Sequence, residues 1–432
     1  MYIVELKIKN FRSYKEESSF TFEALDDEFK EENVITVSLN DGRKMRLLKS
    51  AAIYGANASG KSNVLWALKV LTLLVRNSRN FPVGMEIPYF PFLFSEDSRN
   101  KDTELILDFI VEGNLYQYRI VFNKQRFEDE KLILMHEYGS ELVFARTDGG
   151  KKLIFKDAWK SKTIDMQGVQ LLPNHLVLSE LAVKPQNKLQ DIYQFFDMLE
   201  VEVIVDNINL KANNVQVAQE ILKSNDSKLF DQLKQLLRVA DLGVDDVDMI
   251  RRGDEDFKFP DYVPQDTKRQ FIEDNRWEFR VMHKTHDGGQ MAMPIYEESV
   301  GTQNLFSLGA KILSVLEKGS VLVYDEMHLA VHPKLFKLLV KLFHSPISNP
   351  KNAQLLFTTH DTTVVSDNMM RADQIWFTEK NETGESVLYS AQDFNDMKIV
   401  VPFEDWYRDG RFGAIPDLND VALIFTEDGE KR

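Results

Sequence analysis

Short runs of alternating apolar and polar residues open the chain and predict antiparallel β-strands. Tyr2 to Ile8 and Val34 to Leu39 alternate in this way, and Met45 to Leu48 returns after an Asp-Gly turn. Glu104 to Phe122 and Leu142 to Ile154 each form two apolar runs around a turn sequence. Residues 1–165 are therefore predicted to form a lobe that contains a β-meander.

The rest of the chain changes from helical to mixed spacing. Apolar residues from Leu171 to Val239 recur at helical intervals, and Asp241 to Pro264 is acidic and rich in turn residues. This predicts an inserted, mainly helical region at 166–265 and a second α/β lobe at 266–432. The predicted strands of the second lobe are Phe271–Met282, Met291–Tyr296, Ser320–Tyr324 and Ala353–Thr358, and its predicted helices are Gln303–Leu316 and Lys334–Phe343.

A phosphate-binding loop is predicted between a short buried strand, Ala51 to Tyr54, and a helix from Val64 to Val75. The intervening residues Gly55 to Ser62 match G-x-x-x-x-G-K-[ST] at every constrained position. The glycines allow backbone N–H groups to face phosphate oxygens at a helix N-terminus. Lys61 would span the β- and γ-phosphates, and the Ser62 hydroxyl would bind Mg²⁺. The alternative is a glycine-rich turn with a surface lysine.

Two later strands end in side chains suited to hydrolysis. Ser320 to Tyr324 is followed by Asp325 and Glu326, and Leu356 to Thr359 is followed by His360. Asp325 is predicted to hold Mg²⁺ through water, while Glu326 accepts the proton of the attacking water. His360 is placed to detect the γ-phosphate. The alternatives are a pair of surface acids and a histidine that caps a strand.

Composition limits the remaining possibilities. The chain has 432 residues, is 43% hydrophobic and contains no cysteine, so it predicts a globular protein without thiolate metal sites. Its net charge of −15 disfavours a broad nucleic-acid surface, and the lysines from Lys151 to Lys162 are interpreted as a solvated hairpin and loop. With no signal peptide and no membrane-length apolar run, the expected location is cytoplasmic.

Taken together, Gly55 to Ser62, Asp325-Glu326 and His360 resemble the Walker A, Walker B and switch-histidine motifs of ABC ATPases. The long separation of the first two motifs resembles the split head of the RecF/SMC branch. This resemblance implies an α/β, ABC-type head with an antiparallel β-subdomain, using ATP and Mg²⁺. The implied nucleotide-binding residues are Gly55, Asn57, Ala58, Ser59, Gly60, Lys61, Ser62 and Asn63.

Two further motifs carry roles that the resemblance implies. Asn10-Phe-Arg-Ser-Tyr resembles the first strand of the same branch, in which an arginine at the position of Arg12 lies near the phosphates. Glu298 to Thr302 resembles the ABC signature, with Ser299 and Gly301 at the positions that reach a γ-phosphate in the other protomer. Val300 and Thr302 depart from the usual Gly and Gln. An ATP-dependent homodimer is implied, with Leu329 to Pro333 lining its interface.

The chain is also similar to bacterial abortive-infection ATPases of the RloA/AbiL type, through its start, its signature and Trp406 to Pro416. That similarity implies antiphage defence with a separately encoded effector, such as a Toprim-like nuclease. Two other functions stay open: an ATPase that clamps DNA directly, and a scaffold that binds ATP without hydrolysing it. Arg411 to Pro416 either caps the sheet or docks a partner.

Overall fold

The fold is built around two large sheets, which the computed structural model describes through residues 1–149, 152–156, 171–182, 189–203, 217, 221, 227–240, 243–366, 369–394 and 403–414. The strands are β1 Tyr2–Lys9, β2 Ser18–Thr21, β3 Val34–Ser38, β4 Lys44–Leu48, β5 Ser50–Gly55, β6 Thr103–Val111, β7 Asn114–Phe122, β8 Phe127–His136, β9 Gly139–Thr147, β10 Lys152–Phe155, β11 Leu199–Glu202, β12 Asp246–Arg251, β13 Trp277–Lys284, β14 Gln290–Pro294, β15 Val321–Tyr324, β16 Gln354–Thr358, β17 Ile375–Lys380 and β18 Ser386–Ser390. The helices are α1 Lys61–Asn77, α2 Glu96–Arg99, α3 Val177–Leu181, α4 Leu189–Met198, α5 Ser227–Val239, α6 Gln265–Asn275, α7 Val300–Lys318, α8 Pro333–His344, α9 Thr363–Ser366 and α10 Phe403–Arg408.

The central sheet has six strands in the order β11-β15-β16-β5-β17-β18. Neighbouring strands are parallel from β11 to β17, and β18 is antiparallel to β17. The carboxyl ends of β5, β15 and β16 therefore lie at one edge, where ligands bind in open α/β sheets. These three strands carry the loop that starts at Gly55, the acid pair that starts at Asp325 and, shortly after β16, His360.

Both faces of the central sheet are buried, which explains the almost uninterrupted apolar sequence of β5. Ala51 and Ile53 pack in one core with α1 and the β-meander, while Ala52 and Tyr54 pack in the other with α7 and α8. The antiparallel sheet of seven strands, β10-β9-β8-β7-β6-β1-β2, forms the β-subdomain. The predicted fold class, a mixed sheet with an antiparallel β-subdomain and an inserted region, is confirmed.

Three local predictions differ from the structure. The prediction of a strand from Phe271 to Met282 is wrong over its first half, because α6 extends to Asn275 and the strand begins at Trp277. The region assigned as helical contains β11, which pairs with β15, and the turn-rich segment contains β12. β11 is short, so its sequence is too brief to show a period of two. Much of the region from Leu171 to Val239 lies outside the described residues.

The described part of the C-terminal segment lies on the central sheet. Phe412 is buried and stacks on Phe377 and Phe403 with ring centroids 5.2 and 5.0 Å apart. Its carbonyl accepts a hydrogen bond of 2.7 Å from the hydroxyl of Tyr389 in β18. This is the capping arrangement, while Pro416 lies outside the described residues, as do Lys151, Lys160 and Lys162 of the lysine-rich stretch.

Candidate nucleotide site

The loop between β5 and α1 has a backbone that only glycine fits at two positions. Gly55 and Gly60 have φ values of 155° and 116°. A Cβ on Gly55 would lie 2.5 Å from the carbonyl oxygen of Thr378, and one on Gly60 would collide with the hydroxyl of Ser386. The exposed tip of the loop, Asn57 and Ala58, includes a further left-handed residue, Ala58, at φ 62°.

A network of hydroxyl groups forms hydrogen bonds to this loop. The Ser59 and Thr378 hydroxyls are 2.5 Å apart, and the Ser386 hydroxyl donates to the Ser59 carbonyl at 2.5 Å. Ser386 also bonds the hydroxyl of Ser13 at 2.7 Å, and Tyr14 donates to the Gly60 carbonyl at 3.2 Å. Strands β17 and β18 and the turn after β1 thus fix the loop from two sides.

Lys61, the first residue of α1, is buried and lies against its own loop. Its Nζ donates to the carbonyls of Gly55 and Ala56 at 3.0 and 3.1 Å. It is also 2.9 Å from Nε2 of His360 and 3.8 Å from Oε1 of Glu326. Burial lowers the pKa of Lys61, although the nearby carboxylates act in the opposite direction. The ammonium therefore joins the loop to both later strand ends.

Asp325 directly follows β15 and is only 3% exposed. Its Oδ1 accepts hydrogen bonds from the hydroxyls of Ser62 at 2.9 Å and Thr358 at 2.6 Å. Burial raises the pKa of Asp325, and these two hydrogen bonds partly offset the effect. The two predicted metal ligands, Ser62 and Asp325, are thus in direct contact.

Glu326 has a left-handed backbone, with φ at 47°, that turns its side chain toward Lys61 and His360. Its N–H donates to the Thr358 hydroxyl at 2.7 Å, and its Oε1 lies 3.4 Å from Nε2 of His360. Burial raises the pKa of Glu326, but interaction with His360, Lys61 and His328 outweighs burial and holds the pKa below its usual value. A carboxylate held in this way is in the form that accepts a proton.

A second histidine, His328, was not predicted from the sequence. Its Nδ1 lies 3.5 Å from Oε2 of Glu326, and its ring is edge-on to that of His360. Both facing atoms, Nδ1 and Oε2, are buried, and neither has a hydrogen-bond partner among the residues that the structure describes. Burial lowers the pKa of His328. The sequence signal was available, since His328 follows Glu326 by two positions in the turn after β15.

Metal binding at this site would rely on few protein ligands. No group of three or more His, Cys, Asp or Glu side chains able to hold a metal occurs within the described ranges. Ser62 and Asp325 offer one hydroxyl and one carboxylate. This donor set suits Mg²⁺, which keeps several waters and takes further oxygens from substrate phosphates.

Arg12 and Asn63 also lie at the loop. Nη1 of Arg12 donates to Oδ1 of Asn63 at 3.2 Å, and Nδ2 of Asn63 donates to the Ser13 hydroxyl at 2.7 Å. The predicted nucleotide-binding residues of the first lobe are therefore brought together with Asp325, Glu326 and His360.

The signature residues are arranged differently. Ser299 caps α7, its hydroxyl accepting from the N–H of Thr302 at 3.1 Å. Ser299, Val300 and Gly301 are all exposed. Within the described parts of the chain, the side-chain hydrogen bonds of Ser299 stay in this helix turn and none reaches the phosphate loop.

Sequence comparison matches residues 50–366 to the family described as "AAA domain, putative AbiEii toxin, Type IV TA system". The match covers well over half of the chain and contains the phosphate loop, the acid pair and His360. The chain belongs to this AAA-domain family. Family membership and the phosphate loop together make it a P-loop ATPase with an AAA domain. None of the curated proteins compared with this AAA-domain chain matches it.

Solved structures similar to this AAA-domain protein include SMC heads, at 14% identity each. An SmcHead bound to the C-winged helix domain of ScpA gives a TM-score of 0.44 over 92% of this chain and 100% of the other. The SMC head domain from Thermotoga maritima gives 0.42 over 90% and 99%. A Pyrococcus furiosus Smc head with an extended coiled coil, bound to the C-terminal domain of ScpA, gives 0.40 over 95% and 99%. Among the described helices, none is long and apolar enough to cross a membrane.

Proposed function

We propose that the protein binds ATP with Mg²⁺, hydrolyses it, and uses the nucleotide to control its own pairing and a separate effector. The observation that carries this proposal is the position of Glu326. Its carboxylate lies between Lys61 and two histidines, one residue after an aspartate that contacts the phosphate-loop serine. A protein that only bound nucleotide would have no use for a proton acceptor at this point.

The residues present fit a nucleoside triphosphate with its metal. At Gly55 and Gly60, neighbouring hydroxyl groups already occupy the space that a Cβ would need. Only glycine therefore allows this tight backbone at the N-terminus of α1, where N–H groups can bind phosphate. Lys61 supplies a buried positive charge, and Ser62 with Asp325 supplies hard oxygen ligands. When bound, Mg²⁺ would neutralise charge on the phosphates.

Each side chain then has a distinct role. Glu326 orients a water and accepts its proton, since its pKa lies below the usual value and the carboxylate persists at neutral pH. His360, 2.9 Å from Nζ of Lys61 and 3.4 Å from Glu326, connects the base to the phosphate-binding ammonium. His360 is therefore placed to respond when the γ-phosphate leaves.

Pairing of two copies is proposed from the signature region. Ser299 and Gly301 lie exposed at the N-terminus of α7, where a helix favours an anion. Two apolar side chains are also exposed: Val300 at 62%, in the first turn of α7, and Leu329 at 65%, three residues after Glu326. These features support an ATP-dependent homodimer in which α7 of one copy completes the site of the other.

A role in bacterial defence is proposed from membership in this protein family. The family description contains the words "AbiEii toxin" and "Type IV TA system". We infer an ATPase of the abortive-infection type, RloA/AbiL-like, that holds or releases a separately encoded effector such as a Toprim-like nuclease. Loss of phage resistance in cells that carry Lys61→Ala in place of the wild-type chain would support this role, whereas unchanged resistance would contradict it.

The biochemical test compares ATP and GTP hydrolysis by the wild type, Lys61→Ala and Glu326→Gln, with molecular mass measured in each nucleotide state. Lys61→Ala should lose nucleotide binding, and Glu326→Gln should lose turnover by about 10² or more while still binding ATP. Glu326→Gln is also expected to accumulate as an ATP-bound dimer.

Glu137→Gln is a matched control, because Glu137 is exposed in the β8–β9 hairpin. It should behave as the wild type. Tight ATP binding without turnover in the wild type, or unchanged turnover in Glu326→Gln, would instead favour a non-hydrolysing scaffold.

A further inference from the structure

The environment of Arg12 differs from those of Arg119, which is also half-buried, and Arg371, which is fully buried. Arg119 is paired with Glu104 and Asp129 at 2.5 Å each, and Arg371 is paired with Asp373 at 2.8 Å. Their charges are therefore neutralised within the fold. In the described parts of the chain, no carboxylate forms an ion pair with Arg12. Burial lowers the pKa of Arg12, and no nearby carboxylate offsets this effect.

Aromatic rings replace the missing carboxylate. Cζ of Arg12 lies 4.3 Å from the ring centroid of Trp66 and 5.3 Å from that of Phe90. The two rings are themselves 6.4 Å apart. Ring faces attract a guanidinium without accepting its N–H donors in the way a carboxylate does. The charge is held, but it stays available to an anion.

The backbone fixes the same arginine. Arg12 has φ at 50°, in the tight turn where Phe11 and Tyr14 exchange backbone hydrogen bonds of 2.8 and 2.9 Å. Its N–H donates to the carbonyl of Phe90 at 2.6 Å, so the residue beneath the guanidinium also anchors its main chain. Phe90 thus contacts Arg12 through both its ring and its backbone.

The donors of the guanidinium are largely unused. Within the described residues its one hydrogen bond runs from Nη1 to Asn63, in the first turn of α1, and Nε is buried without a partner. Asn63 follows Lys61 by two positions. The charge is therefore held beside the helix N-terminus where the phosphates of a nucleotide would lie.

We propose that Trp66 and Phe90 are positioning residues that clamp the Arg12 guanidinium so that its free donors meet the phosphates of a nucleotide at the loop. This inference rests on the proposed function. The clamp selects arginine over lysine, since a guanidinium can contact both rings and still present several N–H donors at its edge. Trp66 and Phe90 act only through Arg12.

The test measures the dissociation constant of fluorescent ADP with purified full-length protein, a readout that does not need hydrolysis. Trp66→Leu and Phe90→Leu should each weaken binding by roughly tenfold, as expected for loss of a partly desolvated cation–π contact. Trp66→Phe should restore most of the affinity because it keeps a ring face. Arg12→Lys should bind as weakly as Trp66→Leu.

The deciding variant is Arg12→Ala combined with Trp66→Leu or with Phe90→Leu. If the rings act only through Arg12, each double variant should bind like Arg12→Ala alone. Additive losses would show that the rings support the loop independently, and would overturn the proposal. Should Trp66→Leu fail to fold, the Phe90 cycle decides, because Phe90 is 38% exposed.

Phe94→Leu is the matched control, since Phe94 is an aromatic residue of the same segment, is 69% exposed and packs on Phe92 rather than on Arg12. It should leave affinity unchanged. Absence of nucleotide binding by the wild type would reject the proposed function and this inference together. Normal binding by the wild type, Trp66→Leu and Phe90→Leu would reject the clamp alone.

Discussion

The phosphate-loop region and the signature region differ in how far their side chains are buried and hydrogen-bonded. Around the loop, Ser59 and Lys61 are buried and hydrogen-bonded by residues from several strands. At the start of α7, Ser299 and Gly301 are exposed, and the contacts of Ser299 are with its own helix turn. One region is preorganised for a ligand, whereas the hydroxyl of Ser299 has no contact with the phosphate loop in the described parts of the chain. The proposed homodimer accounts for this difference, because α7 of a second copy would complete the site.

The largest expected effect is on the preorganised side. Gly60→Ala should weaken nucleotide binding by roughly a hundredfold, because a Cβ there meets the Ser386 and Ser13 hydroxyls at φ 116°. Calorimetric titration with ATP measures the effect. Gly42→Ala is the control, since its φ is also positive, at 92°, but nothing lies within 4 Å. Equal affinity in both variants would mean that the tight loop backbone is not needed for binding.

A substitution in the signature region should affect turnover without affecting ATP affinity, unlike one in the phosphate loop. Ser299→Ala should leave ATP affinity of the isolated chain unchanged but lower turnover by roughly tenfold, as expected for loss of a hydrogen bond to a charged group. It also removes a helix cap worth about 1 kcal/mol. Ser299→Asp keeps the cap and should keep the stability, yet its carboxylate should repel the phosphate and still lower turnover. Full activity in Ser299→Asp would contradict a phosphate role.

A smaller effect is expected at the unpredicted histidine. His328→Ala should lower kcat by roughly threefold with KM unchanged, because Oε2 of Glu326 loses the group that lies 3.5 Å away. Steady-state kinetics with ATP measures this. His136→Ala is the control and should leave kcat unchanged, because His136 is exposed at the end of β8. A raised KM in His328→Ala would indicate that the residue binds substrate rather than positioning the base.

The last prediction concerns stability under acid. Burial lowers the pKa of His344 to about 3, and its ring bonds the Ser50 hydroxyl in β5 at 2.7 Å. The unfolded chain takes up this proton first, so stability is complete above about pH 6.5 and falls as pH decreases toward 3. At pH 5 the loss is about 2 kcal/mol.

Urea unfolding at pH 7.5 and pH 5 measures this loss. The pH dependence should shrink in His344→Gln and persist in His286→Gln, which removes an exposed histidine. Hydrogen exchange at pH 5 sharpens the comparison, because protection should decrease in β5 before it decreases at the start of α7. Equal pH dependence in all three proteins would show that His344 does not control it.

The sequence predicts features that depend on local rules. The phosphate loop is defined by glycine spacing, and β15 and β16 are short, mainly apolar runs followed by polar residues, so those polar residues could be placed at one edge of the sheet. Trp66 escaped prediction because its contact with Arg12 joins residues that are far apart in the sequence. His328 was missed although it follows Glu326 by only two positions, because no motif marks the turn that brings its Nδ1 to 3.5 Å from the carboxylate. The strand assignment at Phe271 failed because Phe271 lies on α6, where its ring packs edge-on against that of Phe259 with centroids 5.5 Å apart.

Strand β11 limits how far this protein can be truncated. It comes from the inserted region, yet it forms the outer edge of the central sheet and pairs with β15. The carbonyl of Glu202 accepts a hydrogen bond of 2.9 Å from the N–H of Asp325, and its carboxylate is 2.6 Å from Lys311 of α7. Deleting residues 166–265 would leave the backbone N–H and C=O groups of β15 unpaired at the edge of the sheet, beside the acid pair. An exposed strand edge of this kind promotes aggregation. A minimal head must retain Leu199–Glu202.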